Sequence, residues 1–155
     1  SIPAIQPVAN KDLTRMASGY GYRIHPIYKV RKMHSGMDFT APKGSDIYAT
    51  GDGVVKFVGR KRGYGNTVVI DHGYGYETLY AHCSGFKVKR KQKVKRGEVI
   101  ALVGNTGVSS GAHCHYEVIK HGKKINPKGY FFNDLSEEEY QLLLEKAEVS
   151  NQSMD

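Results

Sequence analysis

The chain has 155 residues, the length of one compact domain, and its 39% hydrophobic and 10% aromatic content can build a core without a disulfide framework. Its 23 Lys and Arg against 15 Asp and Glu give a net charge of +8, which indicates attraction to polyanions. Two cysteines exclude a four-cysteine zinc cluster, and no apolar run approaches the roughly 18 residues of a membrane-spanning helix.

Residues 1–18 show no clear hydrophobic period, and we expect them to form an entry segment. The domain itself is expected over residues 19–132, because near residue 135 the strand-like runs give way to a helical repeat of apolar residues. Residues 133–155 are expected to form a C-terminal helix and tail.

A histidine and an aspartate four residues apart lie in KMHSGMDFTAP, residues 32–42. The spacing suits one face of a helix, but Gly36 and the β-favouring residues after Asp38 predict a loop that leads into a strand. Imidazole and carboxylate are ordinary zinc ligands, although His34 and Asp38 lack the helical arrangement with a built-in glutamate base. By themselves the two residues fit a structural role as well as a metal site.

Short runs rich in β-branched and aromatic residues, separated by glycines, predict a mainly β body. The runs are GVVKFVG (53–59), NTVVIDHG (66–73), YETLYAH (76–82) and EVIALVG (98–104). His82 ends the third run. It is either a satisfied strand-end histidine or, if the fold brings it near a metal, a free imidazole for acid or base chemistry.

Much of the positive charge lies in FKVKRKQKVKRGE, residues 86–98. Charged and apolar residues alternate there as in a half-exposed hairpin, which favours a solvated face, with polyanion binding as the alternative. No interleaved aromatic residues are present to stack bases, so we expect no nucleic-acid site. The sequence leaves the role of residues 87–96 open.

The stretch GAHCHYEV, residues 111–118, places two histidines two positions apart in a segment that favours an extended backbone. Residues i and i+2 of a strand point the same way, so His113 and His115 share one face and Cys114 lies on the other. Catalytic zinc has three protein ligands and one open position. His34, Asp38 and one histidine of this pair complete that count, which leaves the other beside the metal.

Near the C-terminus, SEEEYQLLLEKA begins with Ser136 and Glu139 in capping-box spacing, and apolar residues follow on a helical repeat. The pattern predicts a helix over residues 136–148 that packs on the sheet. The last few residues are expected to fray.

Three motifs in this order resemble the lysostaphin-type zinc endopeptidases of bacterial cell walls. They are HSGMD, GYGNTVVIDHGYGYETLYAH and VKRGEVIALVGNTGVSSGAHCHYEV, and the match covers roughly residues 18–130. The resemblance implies a small, mostly antiparallel β-sheet with a groove over its face, and one zinc ion as cofactor. It also implies an endopeptidase that hydrolyses peptide bonds in peptidoglycan stem peptides or cross-bridges.

The resemblance also implies residue roles. His34, Asp38 and His115 match the zinc ligands, and His82 and His113 match the two non-ligand histidines of the family's active site. Of these two, one accepts the proton of the attacking water and the other stabilises the oxyanion or protonates the leaving amine, in an order that the sequence does not specify. Arg23, in SGYGYRIHPI, is a candidate for substrate binding because family members commonly carry an arginine near the site.

The two cysteines depart from the family pattern, in which an apolar residue such as leucine is more usual. Alternation turns Cys114 away from the paired histidines, and it turns Cys83 away from His82 if that strand stays extended to its end. We expect both cysteines to pack as small hydrophobes, with a buried thiol pair or a disulfide as alternatives.

Two other classes of protein compete with the enzyme. A non-catalytic wall-binding or amidase-activating relative needs an incomplete site, whereas all five positions are filled here. A carrier module of the lipoyl or biotinyl kind needs a lysine at the hairpin tip, and residues 103–108 contain none. The remaining histidines, His25, His72 and His121, are expected to be structural or exposed.

The expected partners are peptidoglycan peptides, with no nucleic acid and no membrane-spanning segment, and a monomer is favoured. Because the wall lies outside the cytoplasmic membrane, we expect the chain in the periplasm, the cell envelope or the medium. The N-terminus lacks a signal-peptide pattern, so this localisation assumes that a targeting segment was removed. The bond that is cut depends on groove loops whose shape the sequence does not give.

Overall fold

The computed structural model of the protein describes residues 1–10, 16–24, 29, 31–131, 137–139, 141–142 and 145. Within these residues the chain forms twelve β-strands and a short 3₁₀ helix, Pro127–Tyr130. The strands are β1 (Met16–Ser18), β2 (Gly21–Ile24), β3 (Arg31–His34), β4 (Met37–Thr40), β5 (Asp46–Tyr48), β6 (Gly53–Lys61), β7 (Gly65–Gly73), β8 (Tyr76–Phe86), β9 (Lys93–Val94), β10 (Val99–Val103), β11 (His113–Lys120) and β12 (Lys123–Ile125). The mainly β fold predicted from the sequence is confirmed.

A ten-stranded antiparallel sheet contains most of these strands, and its central path runs β1-β4-β11-β8-β7-β6-β9. β10 pairs with both β8 and β5, and β12 pairs with β11, while β2 and β3 form a separate two-stranded sheet. The four predicted strand runs correspond to β6, β7, β8 and β10. Strand β11, which contains the paired histidines, lies between β4 and β8, so side chains from both neighbours flank it.

The two faces of the sheet differ in what they bury. On one face, β4, β8 and β11 contribute Phe39, Tyr80 and Tyr116 to the main hydrophobic core, and Cys83 and Cys114 lie in the same core as free thiols. The expected packing role of both cysteines is therefore confirmed, and they form no disulfide. Burial raises the pKa of Cys83 to about 12, so its thiol stays protonated at neutral pH.

The described residues of the N-terminal segment, 1–10 and 16–18, contact the body of the domain. Ala4 and Val8 are buried, and the Ala4 N–H donates a hydrogen bond to the Thr50 carbonyl over 2.9 Å. Residues 16–18 form β1 and pair with β4 at the edge of the sheet. The sequence did not predict this strand, because three residues are too few to show a period.

The basic run is solvated, but it does not form the predicted hairpin. All seven Lys and Arg residues between positions 87 and 96 are exposed, while Val88 and Val94 are buried, which confirms the alternation. The two residues of β9 pair with Gly53 and Val54 of β6, whereas residues 87–92 belong to no strand. The hairpin prediction was wrong because β6 offers β9 a free edge for pairing.

At the C-terminus, residues 137–139, 141–142 and 145 are helical, in agreement with the predicted helix over 136–148. Its other positions and the tail lie outside the described residues, so its packing on the sheet stays a prediction. None of the helical residues that the structure describes forms a helix long and apolar enough to cross a membrane.

Candidate metal centre

Three buried side chains from three strands converge on the face of the sheet opposite the main core. His34 ends β3, Asp38 lies in β4, and His115 of β11 is the cross-strand partner of Asp38. His34 Nε2 and His115 Nδ1 each lie 3.1 Å from Asp38 Oδ1, and the two nitrogens are 3.3 Å apart. The three residues predicted as ligands therefore form one compact group of donor atoms.

The turn between β3 and β4 brings His34 against β11. Gly36 in this turn packs so close to β11 that an added Cβ would overlap the carbonyl oxygen of Tyr116. Only glycine allows this approach of the two backbones. The same residue that argued against a helix in the sequence is thus what places His34 next to His115.

The outer nitrogen of each ligand histidine fixes its tautomer. His34 Nδ1–H donates to the carbonyl oxygen of Gly19 (2.8 Å), and His115 Nε2–H donates to Glu117 Oε2 (2.8 Å). A carbonyl and an ionised carboxylate can only accept, so the inner nitrogens, His34 Nε2 and His115 Nδ1, present lone pairs. Two lone pairs and a carboxylate oxygen directed at one another repel unless a cation lies between them.

The separation of the donor atoms fits zinc. Zn–N and Zn–O bonds of about 2.0–2.1 Å in a tetrahedron place neighbouring donors roughly 3.3–3.4 Å apart. The observed separations of 3.1 to 3.3 Å are close to this value. A tetrahedrally coordinated zinc ion held by these three donors would keep one position without a protein ligand, as catalytic zinc sites do.

Glu117 holds the candidate ligand His115 and was missed by the sequence analysis. Its Oε2 accepts hydrogen bonds from His115 Nε2 (2.8 Å), Ser35 Oγ (2.6 Å) and Tyr64 Oη (2.8 Å), and Lys124 Nζ lies 3.5 Å from its Oε1. The signal was present in the sequence, because the period of two that pairs the histidines continues to position 117.

The charge of Glu117 is held by its neighbours. Burial by itself raises the pKa of this carboxyl. The hydrogen bond from His115, the positive charge of that ring when it is protonated, the hydrogen bond from Ser35 and the charge of Lys124 outweigh burial and lower the pKa to about 2. Lys124 behaves in the complementary way: burial lowers its pKa, and the Tyr64 hydroxyl and Glu117 raise it overall. Glu117 is therefore an anion throughout the neutral range and remains an acceptor for His115.

His82 and His113 lie beside the three candidate ligands. His113 Nε2 is 3.5 Å from Asp38 Oδ1, and the ring centroids of His82 and His113 are 4.7 Å apart. His113 Nδ1 lies 2.8 Å from the Gly111 carbonyl oxygen, and His82 Nδ1 lies 2.5 Å from that of Thr106. Both outer nitrogens therefore donate, which leaves each neutral ring with an unprotonated Nε2.

His82 reaches the site because its backbone is left-handed, with φ at 61°. In β8, Leu79 and Ala81 pair with Glu117 and His115 on the site face, so strict alternation would send His82 to the core face. The left-handed residue reverses this order, at a cost of roughly 1–2 kcal/mol for a non-glycine residue. Cys83 does face the core as predicted, but the assumption that the strand stays extended through His82 was wrong.

The structure describes the side chains of some of the remaining candidates, Arg23 and the other three histidines, but not of all. Arg23 lies in β2 opposite Lys32, and its side chain is outside the described residues, as is all of His25. His72 is buried and structural: its Nδ1 donates to the Asp52 carbonyl and its Nε2 accepts from Thr78 Oγ1. His121 is exposed.

The chain is similar to known peptidases. The family model described as Peptidase family M23 matches residues 32–127, a range that includes the three candidate ligands, His82 and His113. The DD-carboxypeptidase/endopeptidase Mpg of Neisseria meningitidis serogroup B is 50% identical over 114 residues, which are 74% of this chain and 26% of that protein. The peptidoglycan DD-endopeptidase ShyA of Vibrio cholerae is 47% identical over 104 residues, 67% of this chain and 24% of that protein.

A crystal structure of a zinc containing peptidase from Vibrio cholerae has a TM-score of 0.72 to this chain at 38% identity. The similarity covers 81% of this chain and 39% of that one. This chain spans about a quarter of the length of the two curated relatives.

Proposed function

The chain belongs to peptidase family M23, the lysostaphin-type family that its motifs resemble, and we propose that it is a zinc-dependent endopeptidase of bacterial peptidoglycan. The observation that carries the proposal is the group of three donor atoms within 3.3 Å of one another, with two further histidines beside it. The substrate class follows the names of the relatives, one a DD-carboxypeptidase/endopeptidase and the other a peptidoglycan DD-endopeptidase.

The proposed zinc ligands are His34 Nε2, Asp38 Oδ1 and His115 Nδ1. When bound, the ion supplies Lewis acidity, which polarises a carbonyl oxygen and lowers the pKa of a water molecule from near 16 toward ~7. His115 is held in the ligating tautomer by Glu117, and His34 by the Gly19 carbonyl.

His82 and His113 supply the proton-transfer groups of the proposed reaction. Each has an unprotonated Nε2 in its neutral form, because its Nδ1–H donates to a backbone carbonyl oxygen. One Nε2 can accept the proton of the attacking water, and the other, once protonated, can stabilise the oxyanion or protonate the leaving amine. Both rings share this contact with a backbone carbonyl, although Ser109 Oγ also lies 3.1 Å from His113 Nδ1, and the shared contact does not favour either residue for either role.

The alternative function is that of a non-catalytic wall-binding or amidase-activating protein. This alternative requires a defective site, and the proposed ligands and both histidines are present and mutually close. A location outside the cytoplasmic membrane follows from the proposed substrate, because the wall lies there.

Digestion of purified sacculi tests the proposal. The zinc-loaded chain should release fragments whose masses show a cleaved peptide bond within a stem or a cross-bridge, and chelation should stop the release until zinc is restored. The matched control is Asp38→Ala, prepared in the same way. Intact sacculi after treatment with fully zinc-loaded protein would refute catalysis and favour the binding alternative.

A further inference from the structure

In the loop between β10 and β11, Thr106 holds the ring of His82. The Thr106 carbonyl oxygen accepts the hydrogen bond from His82 Nδ1 (2.5 Å), and the Thr106 hydroxyl donates to the carbonyl oxygen of Cys83 (2.9 Å). The hydroxyl oxygen also accepts the N–H of Asn66 in β7 (3.1 Å). Thr106 therefore contacts the ring of His82 and also the backbone of Cys83, the residue after His82.

The surrounding backbone leaves this loop little freedom. An added Cβ on Gly65 would lie 2.5 Å from the carbonyl carbon of Thr106, and one on Gly107 would lie 2.5 Å from the nitrogen of Gly65. The Val108 N–H also donates to the Gly63 carbonyl (3.1 Å). The loop thus packs directly on the β6–β7 hairpin, and the Thr106 hydroxyl links the loop to both β7 and β8.

His82 depends on such external support because its backbone is left-handed. Relaxation to an extended conformation would turn the ring toward the core face and away from His113. The His82 N–H donates to the Tyr64 carbonyl (2.8 Å), which holds the peptide group before the His82 side chain. In the next residue, the Cys83 carbonyl accepts hydrogen bonds from the Thr106 hydroxyl and from Asn66 Nδ2 (3.1 Å).

We propose that Thr106 is a positioning residue that acts through His82. Its hydroxyl anchors the loop to β7 and β8, so that its own carbonyl selects the Nδ1–H tautomer of His82, in which Nε2 is unprotonated and can accept a proton. The kinetic consequence rests on the proposed function, whereas the tautomer is a property of the folded protein and does not.

The first measurement is therefore spectroscopic. Long-range ¹H–¹⁵N correlation spectra of the zinc-loaded chain with ¹⁵N-labelled histidine, assigned with a His82→Gln sample, report which ring nitrogen of His82 carries the proton. We expect Nδ1–H in the unsubstituted chain and in Thr106→Ser, and a mixture of tautomers in Thr106→Val, which keeps the shape but loses the hydroxyl. Nε2–H in the unsubstituted chain would overturn the proposal, even if Thr106→Val did not fold.

The second measurement is kinetic, on a soluble peptide substrate. Thr106→Val should lower kcat roughly 10- to 100-fold with KM and zinc content unchanged, below the roughly 10²–10⁴-fold worth of a positioned acid or base. Thr106→Ser should restore most of the rate. As a control, Ser45→Ala removes a hydroxyl bond to the Pro42 carbonyl in another loop and should change kcat little.

A double variant separates positioning from general stability. If Thr106 acts through His82, Thr106→Val should lower kcat no further once His82→Ala has removed the ring. If the two residues act independently, their losses in kcat would multiply. Multiplied losses would overturn the proposal. If the unsubstituted chain hydrolyses no substrate at all, the proposed function fails, while the tautomer of His82 still decides the positioning role.

Discussion

Replacing Glu117 with glutamine should weaken metal binding while leaving the ligands in place. In the native site, one carboxylate oxygen accepts three hydrogen bonds, from His115, Ser35 and Tyr64, over 2.6 to 2.8 Å. A glutamine amide has one acceptor oxygen and a donor NH₂ group. If its oxygen stays with His115, its NH₂ group is directed at Lys124 Nζ, another donor.

The magnitude follows from what His115 loses. An ionised acceptor makes a hydrogen bond roughly twice as strong as a neutral one, so the substitution weakens the bond that holds His115 in its ligating tautomer. Loss of such outer partners typically lowers metal affinity about 10- to 100-fold. Because Glu117 is charged over the whole neutral range, we expect the loss to be constant between pH 6 and 8, as far as Glu117 itself is concerned.

Competition with a chromophoric chelator measures this affinity directly. Glu77→Gln is the matched control, because Glu77 pairs with Lys56 on the partly exposed surface of β8 and contacts none of the ligands. Circular dichroism establishes that both variants are folded. Unchanged zinc affinity in folded Glu117→Gln would show that the carboxylate does not hold His115 for the metal.

The sequence indicated that the candidate ligands share one region because parts of the pattern have a local cause. The period of two along β11 brings His113 and His115 to one face, and Gly36 rules out the helix that would otherwise explain the spacing of His34 and Asp38. The long strands β6, β7, β8 and β10 were visible for the same reason, because glycines separate runs of β-branched and aromatic residues.

The supporting contacts were not visible, because they join residues far apart in the chain. Nothing near Thr106 in the sequence indicates that its carbonyl meets a histidine 24 positions earlier. The left-handed backbone of His82 is a second example, because its contacts with the Tyr64 carbonyl and with the loop of Thr106 override the alternation expected of a strand. Short edge strands such as β1 and β9 are set by the edges available for pairing and not by a period.

The remaining predictions concern roles, thiols and pH. Asp38→Ala should lose zinc and hydrolysis together, whereas His82→Ala should keep its zinc and hydrolyse roughly 10²–10⁴-fold more slowly. Elemental analysis and sacculus digestion of both variants measure this. Zinc loss from the His82 variant would refute the assignment of Asp38 as a ligand and His82 as a proton-transfer group. The variant with both Cys83→Ala and Cys114→Ala should bind zinc and cut its substrate, with a loss of stability of about 1 kcal/mol per sulfur, because both thiols face the core. Much weaker zinc binding by that variant, when folded, would make a thiolate a ligand. The last prediction is that acid destabilises the fold through His72, whose pKa is lowered by burial. A histidine with a lowered pKa in the folded state contributes its full stability above the unfolded value of about 6.5, and loses it as the pH falls from there toward the folded pKa. Thermal unfolding of the metal-free chain between pH 8 and 5 should therefore show a steeper decline than the same series for His72→Gln, in which the other histidines titrate alike. Parallel declines would mean that the pKa of His72 is the same in the folded and unfolded chains.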